Sequence, residues 1–501
     1  MNRRRWLEAW MRAVVAVVVA SLTMAVAPTG TASGAALAGT AGGATLAWRA
    51  CPGVDDTRLR CATVDVPLDH ARPAGPRIDI MISRLAATDP ALRRGVLVTT
   101  GGGPGGAGVP EPLNLAAVVD PAVLARYDIV GFDMRFVERS TPITCGQPEE
   151  EPGGYWVRTA TYQSLEDTAV EAREYARACA RHAGWALPFA TTAQAARDMD
   201  AIRAVLGERK LSFLGGSYAA MLGVAYGTLF PHRADRFVLD SPVDLDLAWR
   251  PYELERLPAF EDNYAAFTGY LADNDATFGL GGTPTEVAET LSGAFAEAAL
   301  DPIVAGDHAW TAGELGSLTV IATYFEQFWP VVATDLAAIL AHAPPPIPLD
   351  PRPAPLPGTP GVPADNHTAV NMAFRCGDDA WPRDLATYRR DLNRLGTRHP
   401  VFGPSIANVN PCAFWPVSRD NTPPLAGNRA PAALVVAALR DASVPPANSI
   451  ATARAITGSR LVTVDKQTHV PLLSGQANAC LTGTVTAYLV HGQLPRRDTA
   501  C

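Results

Sequence analysis

The stretch Lys210-Leu-Ser-Phe-Leu-Gly-Gly-Ser-Tyr-Ala-Ala-Met-Leu-Gly-Val-Ala-Tyr-Gly-Thr-Leu-Phe230 constrains this chain more than any other. Leu211 to Leu214 is a short apolar run, Gly215 to Ala219 is a turn of small residues around Ser217, and Ala220 to Phe230 is apolar on every side until Pro231. The pattern predicts a buried strand, a sharp turn and a buried helix. A serine on such a turn has the form G-x-S-x-G, in which small flanking residues let strand and helix approach while the hydroxyl stays exposed. Ala219 stands where the second glycine is expected, and a methyl group is small enough there.

The segments around this stretch repeat its logic. Ala62–Leu68 and Arg77–Leu85 read as a first hairpin, and Gly95–Thr100 as a buried strand that empties into Gly101-Gly-Gly-Pro-Gly-Gly-Ala-Gly108. Tyr127–Asp133 is the next strand. Thr191-x-x-Gln194 has the form of a capping box, opening a helix with Met199, Ile202, Val205 and Leu206 on one face that Gly207 stops. One more strand follows at Arg236–Asp240. Strands alternating with helices imply a mostly parallel sheet covered on both faces. From about Leu245 to Asn428 the pattern turns helical, with periodic segments at Pro284–Ala299 and Thr319–His342 and a proline-dense connector at Ala343–Asp365. Strand patterns resume at Ala432–Leu439 and Ser459–Val464. A helical span of that length is too long for a loop and is read as a lid inserted into the sheet domain.

A serine hydroxyl needs a histidine to take its proton and a carboxylate to fix that histidine. On the α/β-hydrolase fold the chain order is Ser, acid, His, with the acid and the His following late strands. Asp441 and His469 occupy those places, and Asp465, nearer to its strand, is the weaker candidate for the acid. The negative charge of a tetrahedral intermediate needs backbone N–H donors, expected from Tyr218 and from the glycine loop at Gly102 and Gly103. That loop lacks the Gly-Lys-Ser/Thr of a phosphate-binding P-loop and the clean helix of a dinucleotide site, so no cofactor is expected.

Export is written into the N-terminus: Arg3-Arg4-Arg5 precedes an apolar run from about Ala13 to Ala27 that is too short to span a bilayer. The arginines also resemble a twin-arginine signal. Eight cysteines suit an oxidising compartment and fall into sequence neighbours: Cys51 with Cys61, Cys145 with Cys179, Cys376 with Cys412, Cys480 with Cys501. No close double spacing suggests a metal site. A net charge of −8 without a later basic run argues against nucleic acid as a partner. The expected organisation is a signal peptide over 1–44 that could leave a short pro-segment, a core over 45–244, a lid over 245–428, and the second half of the core with a disulfide-tied tail over 429–501.

Seven segments carry a resemblance: Cys61–His70, Gly101–Gly108, Tyr127–Asp133, Gly215–Ala219, Arg236–Asp240, Asp441–Pro446, and the tail Cys480, Tyr488, Gly492, Leu494-Pro495, Cys501. Together they resemble the secreted tripeptidyl aminopeptidases, serine exopeptidases of the α/β-hydrolase fold related to the prolyl aminopeptidases. The resemblance puts Ser217 on the nucleophile, Asp441 on the acid and His469 on the base. The chain departs from the family pattern at Ala219, at Thr100-Gly101, at Phe136 in Asp133-Met-Arg-Phe136 (where the family has Asp-Pro-Arg-Gly) and at Thr468 and Val470, which replace the glycines of Gly-His-Gly. The resemblance implies a secreted hydrolase cleaving amide bonds near a free N-terminus of a short peptide or peptide-like substrate, off the membrane once the signal is removed. An ester hydrolase would need the same triad, and a binding protein would have lost part of it. The lid acids Glu253, Glu255, Glu261, Asp262, Asp378 and Asp379 are the candidates for holding a substrate amine.

Overall fold

A computed structural model describes residues 46–148, 164–247, 249–346, 361–417 and 430–501. The expected signal segment and most of the proline-dense connector lie outside these residues.

The strands are β1 (Arg49–Ala50), β2 (Leu59–Pro67), β3 (Arg77–Leu85), β4 (Gly95–Thr99), β5 (Tyr127–Phe132), β6 (Leu211–Gly216), β7 (Ala234–Asp240), β8 (Ile303–Ala305), β9 (His308–Trp310), β10 (Leu434–Ala438), β11 (Arg460–Val464) and β12 (Thr499–Ala500). Ten of them form one sheet in the order β1-β2-β3-β5-β4-β6-β7-β10-β11-β12. Pairing is antiparallel from β1 to β5 and parallel from β5 to β12. The sequence carries the reason: β4, β5, β6 and β10 are buried at every residue, as strands covered on both faces must be, whereas β2 alternates between buried and exposed positions.

The helix Tyr218–Leu229 is buried from Tyr218 to Gly227, which accounts for its lack of a polar face. The helix Thr192–Val205 is capped as expected by Thr191, whose hydroxyl accepts from Gln194 N at 3.3 Å. The reciprocal half of that box is used elsewhere. Gln194 Oε1 accepts from His70 N, and its amide reaches Asp69, so the side chain ties the helix to the first hairpin.

Between β7 and β10 the chain forms helices at Trp249–Glu255, Leu257–Asp273, Pro284–Leu300, Ala312–Tyr324, Trp329–Leu340, Asn366–Asp378 and Leu385–Asp391. The single helix expected over 319–342 is two. Tyr324 ends the first, a short 3-10 turn spans Glu326–Phe328, and Pro330, lacking an N–H, sits at the start of the second. The insertion also holds a small hairpin of β8 and β9, turned by Gly306-Asp307 with Gly306 at φ 64°. All four expected disulfides are present, joining Cys51–Cys61, Cys145–Cys179, Cys376–Cys412 and Cys480–Cys501.

Candidate active site

Ser217 lies between β6 and its helix at φ 58° and ψ −126°, a left-handed conformation that non-glycine residues seldom adopt. Neighbours fix this geometry. Ser217 N donates to the carbonyl of Asp240 at 2.8 Å, and Met221 N donates to the carbonyl of Ser217. The Ala219 methyl is fully buried and fits: a side chain at Gly215 would come 3.0 Å from it, so the turn has room for one methyl, not two.

His469 and Asp441 meet. His469 Nδ1 is 2.8 Å from Asp441 Oδ2, and the other carboxylate oxygen accepts from Val444 N at 2.9 Å. Asp441 is 1 % exposed and His469 8 %. A carboxylate only accepts, so Nδ1 carries the proton in this pair and Nε2 keeps its lone pair. Asp465 is not part of the arrangement; its side chain is 80 % exposed and faces Arg440 at 3.6 Å. The serine turn and the histidine loop abut, since a methyl group at Gly216 would stand 2.8 Å from Val470 Cγ1, one residue after His469.

The glycine loop closes the other side. A methyl at Gly102 would lie 3.7 Å from Ser217 Cβ, which puts Gly102 alongside the serine, while one at Gly103 would lie 3.7 Å from Asn371 Nδ2. Gly105, at φ 110°, packs so tightly on the helix Asn366–Asp378 that a Cβ there would come 2.7 Å from the carbonyl of His367. Asn371 of that helix donates to the carbonyl of Pro104 at 2.8 Å. Tyr218, whose backbone is the other expected donor, is anchored by its side chain. Its hydroxyl is 2.8 Å from Thr192 Oγ1, which donates to Asp378, and its ring stacks on Trp249. Burial, and then the charge of Asp378, pushes its phenol well above the ordinary range, so this hydroxyl stays a donor.

Two departures from the family pattern lie at positive φ, the region glycine enters most easily. Phe136 stands at φ 73° and Val470 at φ 47°. A β-branched residue in this region is strained, so the fold holds the left-handed turn after His469 against the preference of its own side chain. Phe136 is compensated by packing: it is fully buried and meets Trp185 edge to face.

The six acids named for a substrate amine are mostly engaged. Glu253 is fully buried between Arg256 and Arg375. Asp378 accepts from the N–H and hydroxyl of Thr192, Glu261 from Val401 N and Phe402 N, and Asp379 from Ala380 N. Glu255 and Asp262 are exposed.

Sequence reasoning missed three polar side chains that bind the lid to the active loops. Tyr252 donates to the carbonyl of Ser443 at 2.6 Å, and Asn263 and Gln467 reach the end of the helix Ala312–Tyr324. Their chain positions carry no pattern by which to find them.

Comparisons with known proteins show the family. The family described as "alpha/beta hydrolase fold" matches residues 95–313, and the one described as "TAP-like protein" matches residues 399–501. A tripeptidyl aminopeptidase of Streptomyces lividans is 35 % identical over 88 % of this chain and 83 % of its own. The serine protease Hip1 of Mycobacterium tuberculosis is 28 % identical over 88 % of this chain and 87 % of its own. A carboxylesterase B of the same species is 28 % identical over 88 % and 86 %. By its strand order, its serine turn and these relatives, the chain belongs to the tripeptidyl aminopeptidase family of serine peptidases on the α/β-hydrolase fold.

Proposed function

We propose that this protein is a secreted aminopeptidase that releases short peptides, tripeptides if it follows its Streptomyces relatives, from the free N-terminus of small substrates. Ser217 is the nucleophile, His469 the general base and then acid, and Asp441 the carboxylate that orients it. Ser217 Oγ attacks the scissile carbonyl as its proton passes to His469 Nε2, and the amine leaves with that proton. Water, deprotonated by the same nitrogen, then splits the acyl-enzyme. Backbone N–H groups of Tyr218 and of the Gly102–Gly103 segment are assigned to the oxyanion. The observation that carries the reading is the buried His469–Asp441 contact of 2.8 Å on a loop that packs against the turn of a serine held at φ 58°.

The lid supports an exo-acting enzyme. Its contacts with the core fall at the C-terminal ends of strands: Trp249 on Tyr218 after β6, Tyr252 on Ser443 after β10, Gln467 after β11, and Asn371 on the loop after β4. A cover there admits chain ends in preference to folded protein. Export is supported by the leader pattern and by four disulfides, and no helix among the described residues is long and apolar enough to cross a membrane.

An ester hydrolase is the second reading, favoured by the carboxylesterase relative. The test compares kcat/KM for one tripeptide arylamide with a free and with an acetylated N-terminus, beside short acyl esters. Free amine is expected to be preferred about a hundredfold or more, since a buried ammonium and its partners are worth several kcal/mol. Equal values, or faster ester turnover, would overturn the aminopeptidase assignment. Ser217→Ala is expected to lower kcat by about 10⁴-fold or more, and a loss within tenfold would remove Ser217 from the mechanism.

A further inference from the structure

A helix ends with carbonyls that find no partner within it. The helix Ala312–Tyr324 solves this in an unusual place. Gln467 Nε2 donates to Ala322 O at 3.2 Å and to Thr323 O at 3.4 Å, and Asn263 Nδ2 donates to Thr323 O at 2.8 Å. The same Asn263 amide donates to the carbonyl of Arg440 at 3.1 Å. In return Glu326 N, just past the helix end, donates to the carbonyl of Gln467 at 3.1 Å. Gln467 is 1 % exposed and Asn263 5 %, so these bonds do not compete with bulk water.

The placement along the chain gives this knot its meaning. Gln467 is two residues before His469, and Arg440 is the residue before Asp441. The Tyr324 ring, at the last turn of the same helix, lies 5.9 Å from the His469 ring. The acid loop and the histidine loop leave two different strands, β10 and β11, yet both are tied to one helix terminus of the lid.

We infer that the C-terminal end of the lid helix Ala312–Tyr324 sets the register of Asp441 against His469, with Asn263 and Gln467 as positioning residues. The inference rests on the triad reading given above. It makes this part of the lid a component of the catalytic apparatus that cannot swing away without parting the acid from the base. Opening for substrate then belongs to another part of the insertion.

The test must separate positioning of the triad from shaping of the peptide pocket. A small sulfonyl fluoride reacts with Ser217 through His469 but makes no use of a peptide site. Its second-order inactivation rate is measured for the wild type and for Gln467→Glu, which keeps the volume and loses the N–H donors, and Asn263→Ala, which acts from the lid side. Each is expected to slow inactivation by about tenfold or more, because a small misplacement of a catalytic group is costly. Peptide kcat should fall alongside, with KM within about threefold. The double variant should lose less than the product of the single losses, since both amides serve Thr323 O. Inactivation within twofold of wild type for folded single variants, with only melting temperature or KM changed, would overturn the inference. Failure of the wild type to be labelled at Ser217 would instead sink the triad reading beneath it.

Discussion

The two flanks of Ser217 are held by the same device and differ in the charges that surround it. On one flank Asp133, just after β5, accepts from Gly108 N at 2.8 Å and Val109 N at 2.9 Å, anchoring the glycine loop. On the other Asp240, the last residue of β7, accepts from Leu472 N at 3.1 Å and Leu473 N at 3.0 Å, anchoring the loop that carries His469. Both carboxyls are fully buried. Asp133 also accepts from Arg139 N and has the Arg139 guanidinium 3.8 Å away. Asp240 has no cation within an ion pair among the described residues, and its Oδ1 has no hydrogen-bond partner. Burial raises both, and for Asp240, where the Asp441 charge adds to it and His469 with the two N–H groups opposes it, the value reaches about 7. A strand-end carboxyl that clamps backbone N–H groups is thus a common solution here. At Asp133 the Arg139 guanidinium works against the push of burial, whereas Asp240 has no arginine or lysine in that place.

The largest effect should come from breaking the paired flank. Asp133→Ala strips three backbone N–H groups of their acceptor and leaves Arg139 buried beside a cavity, so a loss of about 3–5 kcal/mol is expected by urea unfolding. Asp240→Ala removes two such acceptor bonds and no ion pair, and should cost less. Equal losses would show that the arginine contributes nothing to the difference.

A smaller effect tests whether the glycine-loop flank is as sterically set as its packing implies. Gly105→Ala puts a side chain at φ 110°, 2.7 Å from the carbonyl of His367. Strain of about 1–3 kcal/mol is expected, with kcat/KM on a peptide arylamide lowered by about tenfold or more as the loop moves off the oxyanion position. Unchanged kinetics would mean that the loop yields without disturbing the donors.

How legible each flank is in the sequence follows from the kind of constraint that built it. The strand at Leu211, the turn at Ser217 and the glycine run at Gly101 announce themselves because backbone geometry restricts residue type. Asp441 and His469 are legible through chain order. The lid is less so. Phe325-Glu-Gln-Phe-Trp-Pro330 hides a helix break inside an apolar run, and only Pro330 marks it. The β8–β9 hairpin could have been found from Gly306-Asp307, a two-residue turn signal between short apolar runs. Asn263 and Gln467 were not readable at all. An amide that caps a distant helix leaves no periodicity in the chain. Phe136 and Val470 show the reverse case: the residues argue against a left-handed turn, and tertiary packing imposes it.

The smallest effect, and the one that isolates charge from shape, is Asp240→Asn. The amide oxygen can still accept from Leu472 N and Leu473 N, and the amide nitrogen replaces the oxygen that has no partner, so the loop should hold and kcat should stay within about threefold. What changes is the proton. An aspartate near 3.8 when unfolded and near 7 when folded holds its proton longer in the native state. Below about pH 3 both states are protonated and the group costs nothing, and near pH 4 it still costs little. As pH rises from there to about 7 the unfolded chain ionises first, so stability falls across that window and levels off above it. The asparagine variant lacks this term. Its unfolding free energy should match the wild type near pH 4 and exceed it at pH 8, with the gap opening between those values. Urea unfolding of both proteins at intervals from pH 4 to 8 checks this. A gap that is constant with pH would mean that Asp240 ionises normally, and the contrast with Asp133 would then rest on hydrogen-bond count and the Arg139 ion pair, not on the proton.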